Sequence, residues 1–104
     1  MILEVAILNV KCGQETQFEI DFATAAQFIS SIKGYVKHSL NHCIEHKNKY
    51  ILLVDWENLE DHTVGFRQST QYLEWKKLLH HYYDPFPTVE HYELTIENGN
   101  KNNS

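Results

Sequence analysis

The chain is expected to fold as a single α+β sandwich of ferredoxin-like type, a four-stranded antiparallel sheet with helices on one face. Three observations lead there. Strand-like and helix-like periods follow in the order strand, helix, strand, strand, helix pair, strand, which is the βαββαβ order of that fold. Ile51, Leu52, Leu53 and Val54 form an unbroken apolar run, as expected of a strand covered on both faces. At 104 residues there is room for one domain.

The elements can be justified in turn. Residues 2–10 are rich in Ile, Leu and Val and read as a strand that Gly13 breaks. Phe18, Phe22, Ala25, Ile29 and Ile32 then recur at helical spacing and form one apolar stripe, closed by Gly34. From Tyr35 to His46 the pattern alternates. Val36, Leu40 and Ile44 share one face with His38, His42 and His46, and Lys37, Ser39, Asn41 and Glu45 take the other with Cys43. A long strand is expected here, with Lys47, Asn48 and Lys49 as the turn of a hairpin. Tyr50 to Trp56 is the returning strand. Helices can cover only one of its faces, so a second copy of the chain is the simplest cover for the other, and a homodimer through the open sheet face is expected. Asn58 is a suitable N-cap with Asp61 three residues on, predicting a short helix over 59–66 with Leu59, His62 and Phe66 on one face. Ser69 caps the next helix, whose stripe is Tyr72, Trp75, Leu79 and Tyr82, and Pro85 and Pro87 end it. Residues 88–96 read as the last strand. The domain is therefore placed at 1–96, with a polar tail over 97–104.

Composition narrows the function classes. The chain is 42% hydrophobic and 22% charged, with a formal net charge of −5 and no basic stripe, which argues against nucleic acid or an anionic membrane as partner. No signal peptide or membrane-spanning run is visible. Cys12 and Cys43 make no disulfide framework, so free thiols and a cytoplasmic location are expected. No metal site is expected. His38, His42 and His46 lie on a strand, where residues four apart are separated by about 13 Å, and the adjacent His80 and His81 diverge by about 100° on a helix. Nucleophile elbow, phosphate loop and dinucleotide fingerprint are all absent.

The segments Val10-Lys11-Cys12-Gly13-Gln14-Glu15 with Phe18 and Glu19, Leu52 to Trp56, Glu60, His62, Gly65-Phe66-Arg67, Ser69, Trp75 and Val89-Glu90-His91-Tyr92-Glu93 occur in an order and spacing that resemble the antibiotic biosynthesis monooxygenase domain of the dimeric α+β barrel superfamily. Cys12 stands where that family commonly has proline. The resemblance covers roughly residues 2–95. It implies a homodimer whose two sheets face each other, with a pocket between sheet and helices in each subunit. Some members oxidise polycyclic aromatics with molecular oxygen and no metal or flavin, others degrade haem, and many have no established reaction. The haem-degrading pattern is not met. Aligned through Ser69, its tryptophan position falls on Phe66 and its histidine position near Lys76, and Asn9 is too close to Gly13 for the asparagine role. His80 or His81 is left as the only reserve for iron.

The resemblance and the residues together make this chain an expected cofactor-independent monooxygenase acting on a small aromatic or quinol-type compound. His62 is the candidate base, drawing a proton from a phenol or an activated C–H so that oxygen can attack the electron-rich carbanion. A buried structural histidine is the alternative at that position. Arg67 is the candidate holder of an anionic substrate, or else the cap of a helix C-terminus or the partner of Glu60. Trp56, Phe66, Tyr72, Trp75 and His91 are the candidate pocket lining, although stripe residues such as Trp56, Tyr72 and Trp75 are more often core and His91 faces either the pocket or the dimer interface, where a structural role is the commoner one. A non-catalytic small-molecule-binding or stress-response dimer of the same fold is the other reading. A haem-binding protein is the third.

Overall fold

The computed structural model describes residues 1–100. Strand β1 (Ile2–Asn9) leads into helix α1 (Glu15–Ser30). Strands β2 (Tyr35–His42) and β3 (Lys49–Trp56) form a hairpin. A π-helical segment (Asp61–Phe66), helix α2 (Thr70–Leu79), a 3₁₀ turn (His80–Tyr82) and strand β4 (Val89–Glu93) complete the order. The four strands form one antiparallel sheet in the order β2-β3-β1-β4, the ferredoxin-like arrangement expected.

The core lies between the sheet and the two helices. Strand alternation sends Ala6 and Leu8 of β1 and Tyr50, Leu52, Val54 and Trp56 of β3 towards the helices, all buried. The stripe of α1 meets them with Phe18, Phe22, Ala25 and Ile29, and α2 adds Trp75 and Leu79. Each buried Phe, Leu or Ile contributes about 1.5–3 kcal/mol by leaving water. Phe22 and Trp75 meet edge to face with ring centroids 5.5 Å apart, which locks α1 beside α2. Two buried tyrosines reach out to carboxylates of α1, Tyr50 to Glu19 and Tyr82 to Asp21, each at 2.5 Å, so neither hydroxyl is left unbonded in the core.

Several local expectations are corrected. The second strand stops at His42 rather than His46, and Ile44 is 94% exposed. A bulge between Tyr35 and Lys37 inserts one residue, so Val36 turns outward instead of sharing a face with Leu40. Tyr35 and His38 consequently point the same way and bond to each other at 2.6 Å. Helix α1 ends at Ser30, four residues before Gly34, which takes φ +90° in the following turn. The last strand spans Val89–Glu93 and not 88–96, with Leu94 and Ile96 exposed. Of the tail expected over 97–104, residues 97–100 carry no regular secondary structure and 101–104 lie outside the described residues.

Strand β3 is fully buried on one face only. Tyr50, Leu52, Val54 and Trp56 are sealed beneath the helices, whereas Ile51 and Leu53 on the opposite face are half-buried. They join Leu3 and Val5, also half-buried, and Ile7 in an apolar surface that no helix covers among the described residues. Among the described residues no helix is long and apolar enough to cross a membrane.

Candidate functional site

The site is built where β1, β3 and β4 run side by side beneath the π-helical segment. On β1 the inward positions are Glu4, Ala6 and Leu8, and Glu4 is the one charged residue of that face. The register sets Glu4 opposite Val54 on β3 and opposite His91 on β4. Trp56 ends β3 next to it, fully buried, and its indole Nε1–H donates to Glu4 Oε1 at 2.9 Å.

The segment after β3 is seated by local bonds. The backbone N–H of Asn58 donates to Asp61 Oδ2 at 3.0 Å, which is the acid half of the expected capping box. Gly34 makes room for that carboxylate, since a Cβ there would lie 2.0 Å from Asp61 Oδ2. The helix then widens. The Arg67 N–H donates to the His62 carbonyl five residues back at 3.2 Å, a π-helical bond. His62 and Phe66 are buried on its inner side, and Leu59, expected with them, is 39% exposed. Ser69 caps α2, accepting the Tyr72 N–H at 3.1 Å.

His62 lies flat against Trp56, with centroids 5.4 Å apart and planes 21° apart. Its ring nitrogens are both engaged. Nε2 is 3.4 Å from Glu4 Oε1, and Nδ1 is 2.8 Å from His91 Nε2. A continuous line of polar atoms thus runs from Glu4 through His62 to His91, which is half-buried on the edge strand. The electrostatics follow from burial and from one cation. Burial raises the Glu4 carboxyl above the ordinary carboxylate value, opposed by the Trp56 hydrogen bond and by Arg67. Burial, then Arg67, then His91 push His62 down to about 3, so its imidazole is neutral at pH 7. Burial and Arg67 also lower His91. Arg67 itself is exposed, and among the described residues its side chain pairs neither with Glu60 nor with any other carboxylate within 4 Å.

These groups border a cavity of about 340 Å³ between sheet and helices. Glu4, His62 and Arg67 supply its polar wall. Phe66, Tyr72 and Trp75 supply an aromatic one, and His80, Tyr83, Phe86 and Pro87 lie at its other side. Trp56 and His91 do not reach the cavity. They stand one layer behind it, bonded to Glu4 and His62 respectively. Glu4 was not singled out from the sequence, although a lone acid among inward-facing apolar residues of the first strand is the signal that marks it. Among the described residues no group of three or more His, Cys, Asp or Glu side chains is arranged to hold a metal ion.

The family model described as antibiotic biosynthesis monooxygenase matches residues 1–78. An uncharacterised protein of Bacillus subtilis (strain 168), YczJ, is 57% identical over 93 residues, covering 89% of this chain and 98% of its own. The crystal structure of a "Putative antibiotic biosynthesis monooxygenase" from Bordetella bronchiseptica superposes with a TM-score of 0.87 at 35% identity, covering 91% of this chain and 97% of that one. SnoaB from Streptomyces nogalater, described as a cofactor-independent oxygenase, shares the fold with a TM-score of 0.67 at 24% identity, with 94% of each chain covered.

Proposed function

Because the chain belongs to the antibiotic biosynthesis monooxygenase family, we propose that it is a cofactor-independent monooxygenase that oxidises a small aromatic or quinol-type compound with molecular oxygen. The observation that carries this reading is the cavity wall. Neutral His62 and the raised carboxyl of Glu4 stand on the same cavity as Arg67, a cation with no ion-pair partner within 4 Å among the described residues, and as the aromatic faces of Phe66, Tyr72 and Trp75. A cavity of 340 Å³ falls within the size range of small-molecule sites, about 300–1,000 Å³. The shared fold with a cofactor-independent oxygenase supports the same class of chemistry.

The reaction needs no outside reductant, because the substrate supplies the electrons. A methylene activated by an adjoining aromatic ketone loses a proton to the base, His62 acting with the Glu4 carboxylate beside it, and becomes a carbanion, which Arg67 stabilises as its enolate. The carbanion reduces oxygen and bonds to it, giving a peroxide anion that takes back one proton. The hydroperoxide then loses water. One oxygen atom remains as the new carbonyl, and the other leaves as water with the two hydrogens of the methylene. The aromatic walls hold the ring flat and keep bulk water from the carbanion.

Dimerisation through the open sheet face belongs to the same reading. The apolar surface of Leu3, Val5, Ile7, Ile51 and Leu53 supports it, and a second copy supplies the cover.

Oxygen uptake with a panel of anthrone-like and hydroquinone compounds tests the assignment. The wild type is expected to consume one oxygen molecule per substrate. His62→Ala should lower kcat by about a hundredfold or more, and Arg67→Ala should lower kcat by about tenfold, as loss of a charge-assisted contact to the developing enolate does. Equal rates from wild type and His62→Ala, or no uptake by either, across the whole panel would end it.

A further inference from the structure

We propose that Glu4, His62 and His91 form a proton relay, in which Glu4 takes the substrate's proton at the cavity, the relay holds it while oxygen adds, and Glu4 then returns it to the peroxide. The inference rests on the oxygenation reading and assigns its proton path. Three features of the geometry carry it. Nδ1 of His62 is bonded to His91 at 2.8 Å and its Nε2 faces Glu4 Oε1 at 3.4 Å, so a cavity-bound molecule meets the relay through the Glu4 carboxylate. Trp56 Nε1–H holds Glu4 Oε1 at 2.9 Å, which fixes the carboxylate against His62. The line then leads away from the cavity, because His91 does not border it and is half-buried on the edge strand.

The proton balance closes without any further donor. Before reaction Glu4 is ionised, and His62 and His91 each carry one proton, on Nδ1. As the substrate C–H breaks, its electron pair stays on carbon and its proton passes to the Glu4 carboxylate. Transfer from Oε1 to His62 Nε2, with the His62 Nδ1 proton moving to His91 Nε2, shifts the charge outward and leaves His91 as the imidazolium. When oxygen has added, the same transfers run backward and deliver the proton to the terminal peroxide oxygen. His62 ends as it began.

The charges that face the line favour storage without trapping. Arg67 opposes a second positive charge on either imidazole, so the proton returns readily. Tyr72 of α2, His80 of the 3₁₀ turn and Tyr83 beyond it face the cavity from the other side and bring no further carboxylate to the relay. In these roles Glu4 is a catalytic residue, since it borders the substrate's space, and His91 is a positioning and storage residue acting through His62.

Two measurements on the full-length protein decide it. Imidazole ¹⁵N resonances of labelled protein report tautomer and protonation directly, with or without turnover. Glu4→Gln and His91→Gln should each shift the His62 tautomer population away from wild type. Unchanged His62 resonances in both variants overturn the relay even if no substrate of the panel is oxidised. On any oxidised anthrone or hydroquinone, Glu4→Gln should lower kcat by about a hundredfold or more with KM little changed. His91→Gln should lower kcat by roughly tenfold and reduce the solvent isotope effect. An active Glu4→Gln enzyme within threefold of wild type overturns the relay and leaves the oxygenation standing. Coupled imidazole resonances without oxygen uptake overturn the oxygenation and, with it, delivery of the proton to a peroxide. His91 lies on the edge strand, so His91→Gln remains informative should the buried substitution impair folding.

Discussion

Glu4 and His62 pull the stability of the protein in opposite directions with pH. The His62 ring is neutral when folded, with its pKa pushed down to about 3, whereas the unfolded ring gains a proton near the ordinary value of 6.5. The unfolded state therefore binds more protons across that window, and stability falls as pH drops from 6.5 towards 3, by up to about 1.4 kcal/mol per pH unit for each such histidine. His38, His80 and His91 are lowered as well and add to the slope. Glu4 works the other way. Its folded pKa is raised, so its burial costs stability above the unfolded carboxylate value, and that cost fades as acid protonates it. Urea denaturation between pH 7 and pH 5 should show a falling midpoint in the wild type and a shallower fall in His62→Gln. Glu4→Gln should be more stable than wild type at pH 7 by roughly 1 kcal/mol, the usual sign where a buried charge is kept for function. Less of this was legible from sequence than the position of His62 itself. Helical spacing with Phe66 is enough to turn His62 inward, but its contact with His91 depends on strand register, which no local pattern states.

At the level of elements, the π-helical segment is held at its start by Gly34 and at its end by Ser69. Gly34→Ala places a Cβ against Asp61 and forces an L side chain to φ +90°, so it should cost about 2 kcal/mol. Ser69→Ala removes the acceptor of the Tyr72 N–H and should cost about 1 kcal/mol. Both are measurable as shifts in denaturation midpoint, and Gly34→Ala should also loosen His62, seen as faster amide exchange across Asp61–Phe66. The Asn58 side chain, expected as an N-cap, accepts no backbone N–H among the described residues and instead donates to Asp61. The Asp61 acid and the Ser69 cap were readable because such chemistry is local. The widened turn and the bulge at Val36 were not. Each adds one residue to a regular element, and neither changes composition enough to disturb the period around it. The bulge alone moves Val36 off the face that simple alternation assigns it.

For the whole molecule, the exposed sheet face is the largest feature that a single chain leaves unfinished. Sedimentation of the wild type across concentration should show a dimer. Leu53→Glu, which puts a charge at the centre of that face, should weaken it by at least about tenfold, roughly 1.4 kcal/mol. A wild type that stays monomeric at high concentration would remove the second copy as the cover. The apolar run from Ile51 to Val54 made this face readable in advance, because four consecutive apolar residues cannot all turn to one side of a strand. The order β2-β3-β1-β4 has a consequence of another kind. It makes neighbours of β1 and β4, so Glu4 meets His91 only after every element between them has been synthesised. Phe86 and Pro87 of the cavity wall arrive just before it. A chain that stops short of β4 can thus carry the β2–β3 hairpin and the α1 stripe while the line from Glu4 through His62 to His91 is still incomplete.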